Sequence, residues 1–102
     1  MLIKYQKWVK SFYLKRGWYN FNSSIRLNFL MEEVGELSQA IRRYEIGRDR
    51  PDEVEHKNES LDQIKEELGD VLDNIMILVD KYEFNINDII NEHIEKIEKR
   101  YK

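Results

Sequence analysis

Apolar residues recur along this chain at helical spacing in four separate runs. Leu2, Ile3, Tyr5, Trp8, Val9, Phe12 and Tyr13 give a first helix over about residues 2–16 a broad apolar face. Gly17 is a stop signal for it. A second run, Phe29, Leu30, Val34, Leu37, Ile41 and Tyr44, predicts a long helix capped by Asn22 or Ser23 and reaching about Ile46. The third run is Leu61, Ile64, Leu68, Val71, Leu72, Ile75, Leu78 and Val79. Ser60 and Gln63 read as its capping box, and its end falls near Tyr82. Ile89, Ile90, Ile94 and Ile97 make a fourth helix, capped by Asn85 or Asn87. Its polar face carries Glu92–Lys96, Glu95–Lys99 and Glu98–Lys102, three Glu-before-Lys pairs at i,i+4 that support an exposed helix. The expectation is an all-α, four-helix fold whose two central helices, near 23–46 and 61–82, are long.

Composition agrees with helices. One Pro and four Gly among 102 residues leave few breakers for a turn-rich β fold. The length predicts one domain over 1–102. Without cysteine, disulfides and thiolate metal sites are excluded, so any metal must be held by oxygen or by His56 or His93. A net charge of −3 argues against a nucleic-acid partner. No apolar run has the roughly 20 residues that span a membrane, and the N-terminus has no signal-peptide core. A soluble, cytoplasmic protein is expected. Residues 48–59 are polar, contain the only proline, Pro51, and predict a long loop. Within it, Glu53 and His56 have the Glu-x-x-His spacing of di-iron bundles, but that architecture needs the motif twice, on helices.

The polar positions that interrupt the two central runs change the picture most. Glu32, Glu33 and Glu36 fall within one sector of the second helix, and Glu33 projects into the edge of its apolar stripe. Glu67 lies at an edge of the third helix's stripe, with Asn74 and Asp70 just beyond and Asp73 turned further to solvent. Carboxylates at the edge of a core are costly unless paired or holding a cation. If the two helices pack antiparallel, Glu33, Glu36, Glu67 and Asp70 can converge. A hard oxygen set without Cys or a helical His pair points to Mg²⁺ or Mn²⁺. The alternative is that these are solvated surface charges, as acidic residues commonly are; Glu32, Glu45, Asp62, Glu66 and Asp80 read that way on their own. Trp18, Tyr19 and Phe21, between the first two helices, have two readings as well. They pack the end of the bundle, or one of them stacks on a nucleobase.

The pattern Glu32-Glu33-Val34-Gly35-Glu36, a gap, then Glu67-Leu68-Gly69-Asp70 resembles the MazG family of all-α nucleoside triphosphate pyrophosphohydrolases. The flanks Lys15-Arg16-Gly17-Trp18, Leu30-Met31 and Val71-Leu72 are similar too, and the resemblance covers about residues 8–100. It implies a MazG-like bundle that hydrolyses nucleoside triphosphates to the monophosphate and pyrophosphate. It further implies that Glu33, Glu36, Glu67 and Asp70 ligate Mg²⁺ and that Glu32 orients or deprotonates the attacking water. Asn74 and Trp18 are expected to bind sugar or base, and Lys96, Lys99 and Arg100 occupy the region of the family's phosphate-contacting residues. Short members form dimers or tetramers, so a homo-oligomer, a tetramer before a dimer, is expected. A non-catalytic helical assembly module with a structural cation is the rival from another class. Related enzymes acting on dUTP or phosphoribosyl-ATP are rivals within the same class.

Overall fold

The computed structural model describes residues 1–46 and 57–101, and four helices account for most of them: α1 Leu2–Lys15, α2 Ser23–Ile46, α3 Lys57–Lys81 and α4 Ile86–Arg100. No strand occurs among the described residues. The Glu53/His56 pair and most of the expected 48–59 loop lie outside them.

Local chemistry sets the helix ends. The backbone N–H of Gly17 donates to the Leu14 carbonyl and that of Trp18 to the Tyr13 carbonyl, which closes the last turn of α1. This reversal needs a left-handed residue, and Gly17 supplies it at φ +74°. Asn22 caps α2, its side-chain oxygen accepting from the Ile25 N–H at 2.9 Å. Asn85 caps α4 by accepting from the Asn87 N–H at 2.8 Å. The expected Ser60–Gln63 capping box is corrected: α3 already begins at Lys57, so Ser60 lies inside its first turn. Nothing in Lys57-Asn58-Glu59 breaks a helix, and the only proline is further upstream.

The α2–α3 pairing is the most extensive in the structure. Arg26 of α2 meets Asn74 of α3, whereas Arg43 meets Gln63. Partner numbers fall as α2 numbers rise, so the two helices run antiparallel. The core lies on the other side of α3. Val9 of α1, Met76, Ile77 and Val79 of α3, and Ile86 of α4 are buried together, with Tyr5, Tyr13, Tyr19 and Ile75 packed against them. Gln6 ties this layer: it donates to the Phe84 carbonyl at 3.1 Å and accepts from the Ile86 N–H at 3.1 Å, fixing α1 against the start of α4.

The expected apolar stripes of the central helices are only partly covered. In α2, Ala40 is the buried apolar residue, while Phe29, Val34 and Ile41 stay exposed. In α3, Leu61, Leu68 and Leu72 stay exposed, while Asn74 is buried towards α2 and Met76, Ile77 and Val79 are buried on the opposite, core side. Two helices that pack on each other along one line cannot also cover stripes this broad. Two of the three i,i+4 pairs expected in α4 also need correction. Neither Glu92–Lys96 nor Glu95–Lys99 closes into an ion pair, and Lys102 lies outside the described residues. Exposed pairs gain too little in water to hold two long side chains in one geometry.

Candidate active site

Glu33 rises from the middle of α2 and meets Glu67 and Asp70 of α3. One carboxylate oxygen from each lies within 4.8 Å of the others, and all three residues are half-buried. Glu67 and Asp70 share a face because they are three residues apart on a helix. The antiparallel register brings Glu33 opposite them.

Burial first, then a hydrogen bond with Glu67 and the charges of Glu36, Asp70 and Glu67, push the Glu33 carboxyl up to about 7. Glu67 is raised as well, chiefly by burial, although its hydrogen bond with Glu33 works the other way. Burial and the charges of Asp73, Glu66 and Glu36 raise Asp70. One oxygen of Glu33 and one of Glu67 are buried with no hydrogen-bond partner. Uncompensated buried carboxylate oxygens are rare in proteins and ask for a cation or a proton. The donor set is all oxygen, which suits Mg²⁺ or Mn²⁺. Two Mg–O bonds of about 2.1 Å span about 4.2 Å, so small side-chain movements close the set around one ion.

The other expected acidic residues sit further out. Glu36 is exposed and outside the close trio, yet near enough for its carboxylate to raise the pKa of Glu67 by charge and hydrogen bonding. Glu32 is exposed, next to Glu33 on the helix and also outside the trio. Two acids read as solvent-facing are otherwise engaged. Asp73 is half-buried and accepts from the Tyr5 hydroxyl; burial raises its pKa, opposed by that bond. Asp80 accepts from the Tyr19 hydroxyl and pairs with Lys10 at 3.3 Å. Both correct the sequence reading, because α1 and the following turn cover this face of α3.

A cavity of about 320 Å³ adjoins the trio, within the range of small-ligand sites. Tyr13, Trp18, Phe21, Arg26, Phe29, Glu33 and Asn74 line it, so Glu33 belongs to both the trio and the cavity wall. The aromatic connection divides between its two readings. Tyr19 packs against the core, whereas Trp18, edge-on to Tyr13 at 5.5 Å, and Phe21, 5.6 Å from Phe29, line the cavity. Asn74 is buried. Its oxygen accepts from Arg26 Nη1 at 2.9 Å and its amide donates to the Asp70 carbonyl at 2.9 Å. Lys96, Lys99 and Arg100 are exposed on α4 and line neither feature.

Sequence reasoning missed Arg26. It is only 4% exposed and places its guanidinium on the cavity wall. Its spacing held a signal: Arg26, Phe29 or Leu30, and Glu33 fall at three- and four-residue steps, one face of α2.

An uncharacterized protein of Bacillus subtilis (strain 168), YvdC, is 51% identical over 98 residues, which span 95% of this chain and 92% of the relative. No solved structure matches the chain. The MazG nucleotide pyrophosphohydrolase domain matches residues 21–102, a span that holds both acidic helices and the whole carboxylate trio. The four helices among the described residues, an oxygen-only acidic trio on the antiparallel α2–α3 pair and this match lead to one conclusion: the chain belongs to the MazG nucleotide pyrophosphohydrolase family.

Proposed function

We propose that this protein hydrolyses nucleoside triphosphates to the nucleoside monophosphate and pyrophosphate in a Mg²⁺-dependent reaction, with Mn²⁺ able to substitute. The observation that carries this reading is the Glu33–Glu67–Asp70 trio, with one carboxylate oxygen from each within 4.8 Å of the others, an unpartnered buried oxygen on Glu33 and on Glu67, and Glu33 lining an aromatic cavity. Glu33, Glu67 and Asp70 hold the cation, with Glu36 completing the negative field. A bound Mg²⁺ neutralises the triphosphate and the charge that develops on it in the transition state. Glu32 orients the attacking water and takes its proton. The water oxygen bonds to the α-phosphorus, the bond from that phosphorus to the α,β-bridging oxygen breaks, and the electron pair leaves on pyrophosphate. Trp18 and Asn74 face the nucleoside. Lys96, Lys99 and Arg100, free of ion pairs among the described residues, contact phosphate. The protein works in the cytoplasm as a homo-oligomer, a tetramer before a dimer, and binds neither nucleic acid nor membrane. No helix among the described residues is long and apolar enough to cross a membrane.

The decisive experiment measures pyrophosphate release from a panel of ribo- and deoxynucleoside triphosphates, dUTP and phosphoribosyl-ATP included, with and without Mg²⁺. Release that needs Mg²⁺ is expected. A folded protein that releases none from any of them is a non-catalytic assembly module. Roles are separated by two variants. Glu32→Gln is expected to keep Mg²⁺ binding by calorimetry while losing about 10²–10⁴-fold in turnover, the usual contribution of a general base. Asp70→Asn is expected to weaken Mg²⁺ binding itself, with partial rescue at high Mg²⁺. If Glu32→Gln weakens Mg²⁺ binding as much as Asp70→Asn does, Glu32 is a ligand.

A further inference from the structure

Arg26 is a cation buried without a counter-charge. It lies in the first turn of α2, 4% exposed, and among the described residues no carboxylate pairs with it. Two of its three nitrogens are engaged: Nη1 donates to Asn74 Oδ1 at 2.9 Å and Nη2 to the Trp18 carbonyl. Its Nε–H has no acceptor. The guanidinium carbon lies 5.2 Å from the ring centre of Tyr13, 5.3 Å from that of Phe29 and 5.8 Å from that of Phe21. All three rings line the same cavity as Arg26. These two bonds use two of the five N–H groups and fix the plane of the guanidinium.

We propose that Arg26 determines base specificity, its guanidinium donating to an exocyclic carbonyl oxygen of a nucleobase held among Tyr13, Phe21 and Phe29, so that bases carrying an oxo group are taken in preference to adenine. This deepens the pyrophosphohydrolase reading and rests on it for the orientation of the nucleotide, with base in the cavity and phosphates towards the carboxylates. Aromatic rings offer flat apolar faces to a base and give a phosphate no donors. A phosphate would also meet the Glu33 carboxylate on the cavity wall. Adenine carries no exocyclic oxygen. Its N7 acceptor is flanked by the N6 amino group, a donor that would face the guanidinium's own N–H groups. A site built around buried donors penalises the ligand that leaves them unpaired.

The test uses monophosphates, the product class, so that it does not depend on turnover. Binding of inosine and adenosine monophosphates to the whole protein with Mg²⁺ is measured by calorimetry. The two ligands differ in presenting O6 or N6. Inosine monophosphate is expected to bind about tenfold more tightly or better, the discrimination one well-made base contact supplies. Arg26→Gln and Arg26→Lys, checked for folding by thermal melting, are expected to narrow that gap rather than lower both affinities equally. Equal binding of the two ligands by the wild type overturns the proposal with no variant needed, as does an equal loss for both in a folded variant. Pyrophosphate release measured on the same samples separates the two readings. Release from every triphosphate with no base ranking sinks the role of Arg26 and leaves the hydrolase. A clear inosine preference without release keeps the base site and sinks the hydrolase.

Discussion

At the residue scale, Glu33 is where the carboxylate trio and the aromatic cavity meet. Its side chain is half-buried, one of its oxygens has no partner, and burial with the surrounding acids raises its pKa from 4.5 to about 7. A carboxyl whose folded pKa is above its unfolded value binds more protons when folded. Metal-free stability is therefore greatest below about pH 4.5 as far as Glu33 is concerned, and this contribution is lost as pH rises towards and through 7. Glu67 and Asp70, also raised, act in the same sense. The expected outcome is a Tm in chelator that falls between about pH 5 and 7.5, with Mg²⁺ flattening that slope because a cation favours the ionised forms. In the same chelator, Glu33→Gln raises the Tm at pH 7.5 by removing repulsion, although it removes a ligand. Melting curves across pH, with and without Mg²⁺, check both outcomes. A metal-free Tm that climbs from pH 5 to 7.5 contradicts this electrostatic account. Arg26 shows the limit of reading residues singly. In the sequence it is one of 17 basic residues, and its importance rests on Asn74, 48 positions away.

At the element scale, α3 is the helix that both α1 and α2 pack against, and α4 packs chiefly on α1. Its C-terminal half is buried by α1 and α4, and the face with Glu67 and Asp70 is turned to α2. The α1–α4 contact depends on Gln6, buried and bonded to both the Phe84 carbonyl and the Ile86 N–H. Gln6→Ala strands a buried donor at the start of α4 and is expected to cost about 1–3 kcal/mol, read as a fall in the denaturant midpoint. Because the trio lies on the α2 side of α3, Mg²⁺ affinity is expected to change little in that variant. A variant of wild-type stability means water satisfies Ile86 as well as Gln6 does. The helices themselves were legible in the periodicity: Asn22 and Asn85 cap α2 and α4 among the alternatives read from the sequence. The start of α3 was not legible, because a capping-box pattern at Ser60 also fits inside a first turn once Lys57 is helical.

At the scale of the whole molecule, the chain leaves much apolar surface uncovered. Leu27, Met31, Val34 and Ile41 on α2, and Leu61, Leu68 and Leu72 on α3, are all between about 39% and 58% exposed. Exposed apolar surface in this quantity commonly marks an interface, and a domain this small gains stability by association. The homo-oligomer proposed above covers this face. Light scattering at micromolar concentration is expected to give a multiple of the 12.5 kDa chain mass. Leu68→Glu together with Leu72→Glu is expected to shift the protein towards monomer with its helical circular dichroism largely kept. A wild-type mass of 12.5 kDa refutes the oligomer.

The sequence by itself determined the helical class, the four elements and the acidic residues worth watching, because helix periodicity, caps and i,i+3 spacing are local properties of the chain. It also bore the family resemblance, since Glu32-Glu33-Val34-Gly35-Glu36 and Glu67-Leu68-Gly69-Asp70 are contiguous motifs. Tertiary structure decided which of those acids meet. The register of α2 on α3 brings Glu33 to Glu67 and Asp70, leaves Glu36 at the margin and Glu32 outside, and turns Asp73 and Asp80 to Tyr5 and Tyr19. It also decided that Arg26 is buried with its Nε–H unsatisfied. Burial and pairing across helices depend on how far apart in sequence two partners are when packing joins them, and a periodicity of 3.6 residues carries no information about that.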